Sequence, residues 1–204
     1  MASSAQVARD AIFAALRAAT AQLPREHMHA VRTPYAPPLL DASDGVLGAS
    51  LEAAGAQLAR CAAHELPAAL ARIPGFAHAA HVWSALPEIP ARGIALTAQT
   101  PHALAALDFA VIRGELIVAE SGAIWNVPRS PLERAAALLA EHLVLVVPSD
   151  AIVPSLHDAY ARLNPAADAF GWFLAGPSKT ADIEQALVLG AHGPCAATVV
   201  LTTP

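Results

Sequence analysis

The chain has one lysine, Lys179, and two cysteines, Cys61 and Cys195, among 204 residues. Its other fixed cations are all arginines, and they do not cluster. With a net charge of −5 and an isoelectric point near 5.9, it offers no basic field for capturing a polyanion, which argues against nucleic acid as a partner. The two cysteines lie too far apart in sequence to be read as a disulfide framework or a metal knuckle. No apolar run reaches the roughly 18 to 20 residues that a membrane helix needs. The stretch from Ala135 is broken by Glu141 and His142, and the tail from Gln185 by Gly190, Gly193 and Pro194. The 55% hydrophobic share and the mean hydropathy of +0.45 come from alanine, a helix former more than a membrane anchor. The N-terminus Met1-Ala-Ser-Ser lacks the basic segment and apolar core of a secretory signal, so a cytoplasmic location is expected. Neither G-x-G-x-x-G nor G-x-x-x-x-G-K-[ST] occurs, so no nucleotide-binding fingerprint can be read.

What is present alternates between two periodicities. Residues 4–19 place Val7, Ile12 and Leu16 on one face at helical spacing, behind Ser3 or Ser4 as the cap. Prolines 24, 34, 37 and 38 then make 23–40 an extended connector. Helices are expected at 46–57, 67–73, 131–140 and 154–163, and strands at 58–62, 79–83 and 142–147. Apolar runs at 109–112, 116–119 and 124–127 surround a turn at Glu120-Ser-Gly122. The continuous runs Leu143-Val-Leu-Val-Val147 and Thr198-Val-Val-Leu201 fit central strands covered on both faces. The alternation predicts an α/β sandwich with a mainly parallel sheet. Residues 1–42 form its N-terminal helical arm and connector, and 43–204 its α/β domain.

Three constellations could carry chemistry. Gly176-Pro-Ser-Lys-Thr180 follows an apolar run and precedes a short helical pattern, where free N–H groups could hold an anion beside Lys179. Asp182 and Glu184, placed in the first turn of that helix, offset the charge, and a plain capped turn explains the segment equally well. His192 stands between Gly190, read as the end of the same helix, and the Gly193-Pro194 turn. It could serve as an acid or base, or bond the last carbonyls of the helix. Glu120 could be a base or nucleophile, or could rigidify its turn by accepting backbone N–H bonds. His27-x-His29 and His78-x-x-His81 lack a third ligand at recognisable spacing, so no metal is expected. Trp83, Trp125 and Trp172 sit in apolar runs and read as core.

Two segments resemble a known family nearly residue for residue. They are Gly176-Pro-Ser-Lys-Thr-Ala-Asp-Ile-Glu184 with Leu187-Val-Leu-Gly-Ala-His-Gly-Pro194, and Ile117-Val-Ala-Glu-Ser-Gly-Ala123, where Ser121 replaces the family's threonine. They are similar to the lactate-utilisation protein C family, whose module is the LUD domain. The resemblance implies a three-layer α/β/α fold of the ribose-phosphate isomerase and coenzyme A-transferase type. It also implies an accessory subunit of a three-protein system that oxidises L-lactate to pyruvate beside two iron–sulfur partners. Two cysteines cannot ligate such a cluster, which ordinarily takes four thiolates. No cofactor of the chain's own is therefore expected: no stoichiometric iron, zinc or flavin. The alternative is a stand-alone isomerase or acyl transferase acting on a small anionic substrate through Glu120 with Lys179 or His192. In either case Glu120, Ser178, Lys179, Thr180, Asp182 and His192 are expected in one cleft outside the carboxyl ends of the strands, around a small hydroxy- or oxo-acid. Homo-oligomerisation is left open.

Overall fold

A computed structural model of the chain describes residues 4–21, 40–93, 101–164, 170–183 and 186–204, leaving the side chains of 4, 5, 101, 102 and 181–187 outside the description. The connector expected over 23–40 lies outside the described residues except for Leu40, and so do His27 and His29. The chain divides into two units, Met1–Pro38 and Leu39–Pro204. In the first, Ser4–Ala21 forms helix α1, and its Val7, Ile12 and Leu16 are exposed. Among the described residues no helix is long and apolar enough to cross a membrane.

The second unit begins with helix α2, Asp44–Ala54, which stops at Gly55. Gly55 adopts the left-handed conformation (φ 78°) and donates its N–H to the carbonyls of Glu52 and Leu51. The helix therefore ends earlier than the expected 57, and Gln57 already belongs to strand β1, Ala56–Ala62. Helix α3 (Leu66–Ala71), β2 (Val82–Ser84), β3 (Phe109–Arg113), β4 (Leu116–Val118) and β5 (Ala123–Asn126) follow. Then come α4 (Pro131–Leu139), β6 (His142–Pro148), β7 (Ile152–Val153), α5 (Leu156–Arg162) and β8 (Trp172–Leu174). Ser130 caps α4 by accepting the Glu133 N–H at 3.1 Å, and Pro131 occupies its first turn, where no partner for a proline N–H is needed. Strands β9 (Lys179–Ile183), β10 (Ala186–Leu189) and β11 (Ala196–Thr203) complete the unit.

Five strands form one sheet in the order β1-β11-β6-β3-β2, and every neighbouring pair is parallel. Their side chains divide cleanly between two faces. Leu143, Leu145 and Val147 of β6 join Ala197, Val199 and Leu201 of β11 on one side, where Leu47 and Leu51 of α2 and Ala136 and Ala137 of α4 cover them. Val144, Val146 and Val200 point the other way, into a cluster with Leu66 and Leu70 of α3. This is the three-layer α/β/α arrangement expected. Each fully buried leucine in these layers contributes on the order of 2 kcal/mol from apolar burial.

A second sheet, ordered β7-β4-β5-β8, adds Ile117, Ile124 and Leu174 to the first face. The chain crosses between sheets at Gly114, where a Cβ would stand 2.3 Å from Ile124 Cγ2 and 2.7 Å from Val147 Cγ2. Only a residue without a side chain fits that crossing.

The segment after Gly176 corrects the sequence reading. It is not a helix but an antiparallel hairpin, with Lys179 opposite Leu189, Thr180 opposite Val188 and Ile183 opposite Ala186. Short apolar runs satisfy both periodicities, and here β-branched Thr180, Ile183 and Val188 favour the pleated form. Gly190, left-handed at φ 74°, ends a strand instead of a helix. Asp182 is therefore a strand residue whose side chain lies outside the description, as does Glu184 altogether.

Candidate functional site

The hairpin and the turn that follows it sit at the amino end of the parallel sheet. Gly55 immediately precedes β1, and a Cβ on it would lie 3.5 Å from Pro177 and 3.7 Å from Lys179 Cε. The Ser178 N–H donates to the Pro194 carbonyl at 2.8 Å, two residues before β11 starts. The expectation that this loop lies outside the carboxyl ends is thus overturned, because the chain enters β11 from it.

The contacts here are those of a lock. A Cβ on Gly176 would fall 2.1 Å from the Ala54 carbonyl oxygen, so the backbone presses directly on the end of α2. Lys179 Nζ donates to the Ala53 carbonyl at 3.2 Å, placing a cation where the helix dipole is negative and the last carbonyls are unpaired. Ser178 accepts the Gly190 N–H at 2.9 Å through its carbonyl, and Gly193 packs on the Ser178 side chain. The structure therefore brings Ser178 and Lys179 together with the turn that carries His192, which is itself exposed. Thr180 follows in the hairpin, half-buried.

Glu120 meets a different partner. Its Oε1 accepts the backbone N–H of Leu156, the first residue of α5, at 2.6 Å, and the Glu120 N–H donates to the Pro154 carbonyl at 3.2 Å. An acid at that position complements the helix dipole, the rigidifying role open to it from sequence. Two residues on, Gly122 lies so close to Leu51 of α2 that a Cβ would come within 2.9 Å of it. Both family-like segments consequently rest on the C-terminal half of α2, while the Glu120 carboxylate and the Lys179 ammonium each hold a backbone group.

Several clefts surround the parallel sheet. One of about 490 Å³ lies at the amino end, lined by His78, Asp108, Phe109, Glu141, His142 and Cys195. There His142 stacks on Phe109 with centroids 4.8 Å apart, and its Nε2 lies 2.8 Å from Thr198 Oγ1. Burial lowers the His142 pKa below the usual histidine value, favouring the neutral ring. His81, its N–H bonded to Asp108 at 2.8 Å, stands nearby with Nδ1 3.8 Å from the same carboxylate. A second cleft of about 340 Å³, with Arg60, Cys61 and Ser149 in its wall, lies at the carboxyl ends of β1 and β11. Burial pushes the Cys61 thiol pKa up, Glu65 adds to the shift and Arg72 opposes it. The third, of about 460 Å³, lies at the carboxyl ends of β2 and β3, with Arg113, Glu115, Arg129 and Glu133 around Trp83.

Sequence reasoning did not single out Arg113 and Arg129. Arg113 is a cation closing an apolar strand just before a glycine, a sign of a strand end turning to solvent, and Arg129 directly precedes the Ser130-Pro131 helix start. Each signal is local, and neither says that the two line one cleft.

The cysteines stand at opposite ends of the sheet. Cys61 is level with Thr202 on β11, whereas Cys195 precedes Ala196 at that strand's start, about 20 Å away at strand rise. They can form neither a mutual disulfide nor a shared metal site.

A three-layer α/β/α domain with a side sheet, whose carboxyl-end cleft gathers arginines and carboxylates, defines the class: a mainly parallel α/β domain. The chain belongs to the LUD domain family, whose sequence pattern matches residues 91–202, more than half of it. It is 30% identical over 129 residues to a protein named lactate utilization protein C from Geobacillus kaustophilus, covering 60% of this chain and 50% of that protein. To the Bacillus subtilis protein of the same name it is 34% identical over 95 residues, covering 44% and 40%. The chain spans about half the length of the curated relatives it matches. Its fold is similar to the crystal structure of a DUF162 family protein from Deinococcus radiodurans, with a TM-score of 0.58 at 20% identity, covering 81% of this chain and 100% of that one.

Proposed function

We propose that the chain is a LUD-domain component of a lactate-utilisation system, acting as an accessory subunit beside two iron–sulfur proteins in the oxidation of L-lactate to pyruvate. The observation that carries this reading is the similarity, at about 30% identity, to proteins named lactate utilization protein C. The placement of the cysteines supports it. With Cys61 and Cys195 at opposite ends of β11, this chain offers no set of thiolates for a cluster, and electrons taken from lactate would pass through other proteins. The alternative of a stand-alone isomerase or transferase draws no support from Glu120 and Lys179, since both are engaged with backbone groups.

The test is growth. Deleting the gene from its host should abolish growth on L-lactate as sole carbon source while leaving growth on pyruvate intact, and a plasmid copy should restore it. Affinity purification of the tagged chain from lactate-grown cells should bring down two cysteine-rich proteins containing iron. Undiminished growth on lactate would overturn the proposal.

A further inference from the structure

We infer that the cleft at the carboxyl ends of β2 and β3 binds a small organic monocarboxylate, with Arg113 and Arg129 taking the carboxylate and Glu115 accepting a hydrogen bond from a ligand hydroxyl. The ligand's identification with lactate or pyruvate rests on the proposed function above, whereas its class rests on the cleft.

Both arginines project from backbone that is pinned. The Arg113 carbonyl accepts Asn126 Nδ2 at 2.7 Å, and Asn126, only 1% exposed, is itself fixed by the Trp172 indole N–H at 2.7 Å. In the next two residues, the Gly114 N–H donates to the Val146 carbonyl and the Glu115 N–H to that of Trp125, each at 2.8 Å. The Arg129 N–H is held at 2.7 Å by Glu133, a carboxylate only 5% exposed that fastens the entry to α4. With the backbone fixed, only the guanidinium ends have to be ordered on binding.

The positive charge is also only weakly committed. Arg113 touches Glu88 at 3.4 Å, but both side chains are nearly half exposed, so the pair is weak and exchangeable. Arg129 makes no side-chain bond to any described residue, and Glu133 spends its contact on a backbone N–H. A guanidinium so placed can take a carboxylate through two parallel charge-assisted hydrogen bonds. The other clefts suit an acid less well. Those at the amino end have Asp108 and Glu141 in their walls with no lysine or arginine, and the cleft at the ends of β1 and β11 has one cation, Arg60, with Asp44 in the same wall.

Shape and charge together narrow the class. Ala85, Pro87 and Val127 give an apolar wall for a carbon body, and about 460 Å³ is within the usual range for small-molecule sites. That leaves room for acids longer than three carbons. Glu115 would repel a second carboxylate, so dicarboxylates should be disfavoured, while a 2-hydroxyl has an acceptor waiting.

Isothermal titration of the full chain with L-lactate, pyruvate, 2-oxobutyrate and succinate tests this. Saturable binding is expected for the three monocarboxylates, with succinate weaker. Arg113→Ala and Arg129→Ala should each weaken binding by about tenfold or more, as expected for a lost charge-assisted bond. Arg60→Ala, which removes a cation from a neighbouring cleft, should bind as the parent does. Thermal melts establish that each variant is folded, and both arginines are exposed enough for that outcome. No saturable binding of any monocarboxylate, or parental affinity in both folded arginine variants, would overturn the inference. Loss of growth on lactate together with absent binding would leave the functional proposal standing and remove only this site. Binding with undiminished growth would do the reverse.

Discussion

A Cβ at Gly176 would stand 2.1 Å from a carbonyl oxygen at a φ of +67°, a region that side chains rarely adopt. Both the contact and the conformation penalise any other residue there. Gly176→Ala should therefore cost about 2 kcal/mol or more, read as a lower urea midpoint at unchanged slope. Lys179→Ala removes one exposed bond to the end of α2 and should cost at most about 1 kcal/mol. A larger loss from Lys179→Ala than from Gly176→Ala would show that the loop is held by its cation and not by its backbone. The sequence marks Gly176 as a turn but not as a contact, because the oxygen it approaches belongs to Ala54, over a hundred residues earlier. Lys179 is equally opaque: its rarity attracts notice, while its partner is a backbone group that no side-chain pattern records.

Among the elements, those long enough to complete a period are the legible ones. Helix α4 announces itself by Ser130, Pro131 and Glu133, and β6 by five consecutive apolar residues between His142 and Pro148. The hairpin β9–β10 is too short for its period to decide between helix and strand, and that ambiguity carried the anion-site reading with it. Helix α1 is legible for the opposite reason, since its 18 residues repeat the pattern through several turns. It lies in a unit of its own, Met1–Pro38, and the two core faces of the second unit are built without it. Deleting residues 1–22 should leave the cooperative thermal transition in place, shifted by only a few degrees. Loss of that transition in circular dichroism would mean that the arm belongs to the core.

For the molecule as a whole, the layered fold could be read from alternation, but not which end of the sheet each loop occupies. That depends on strand order, and nothing in Ala196–Thr203 says that this strand inserts between β1 and β6. The insertion makes β11 an interior strand, paired on both edges, with Val199 and Val200 fully buried on opposite faces. Removing residues 196–204 should therefore abolish cooperative unfolding altogether, in contrast to removal of the arm, and any remaining sigmoidal melt would argue against a central role. The same insertion governs how the protein is born. Translation delivers β1 before β11, its neighbour in the sheet among the described residues, so Ala56 waits for Ala197. Throughout that interval an unpaired strand edge and half a core remain open to other chains in the cell, so the nascent polypeptide has reason to depend on chaperones for as long as synthesis lasts.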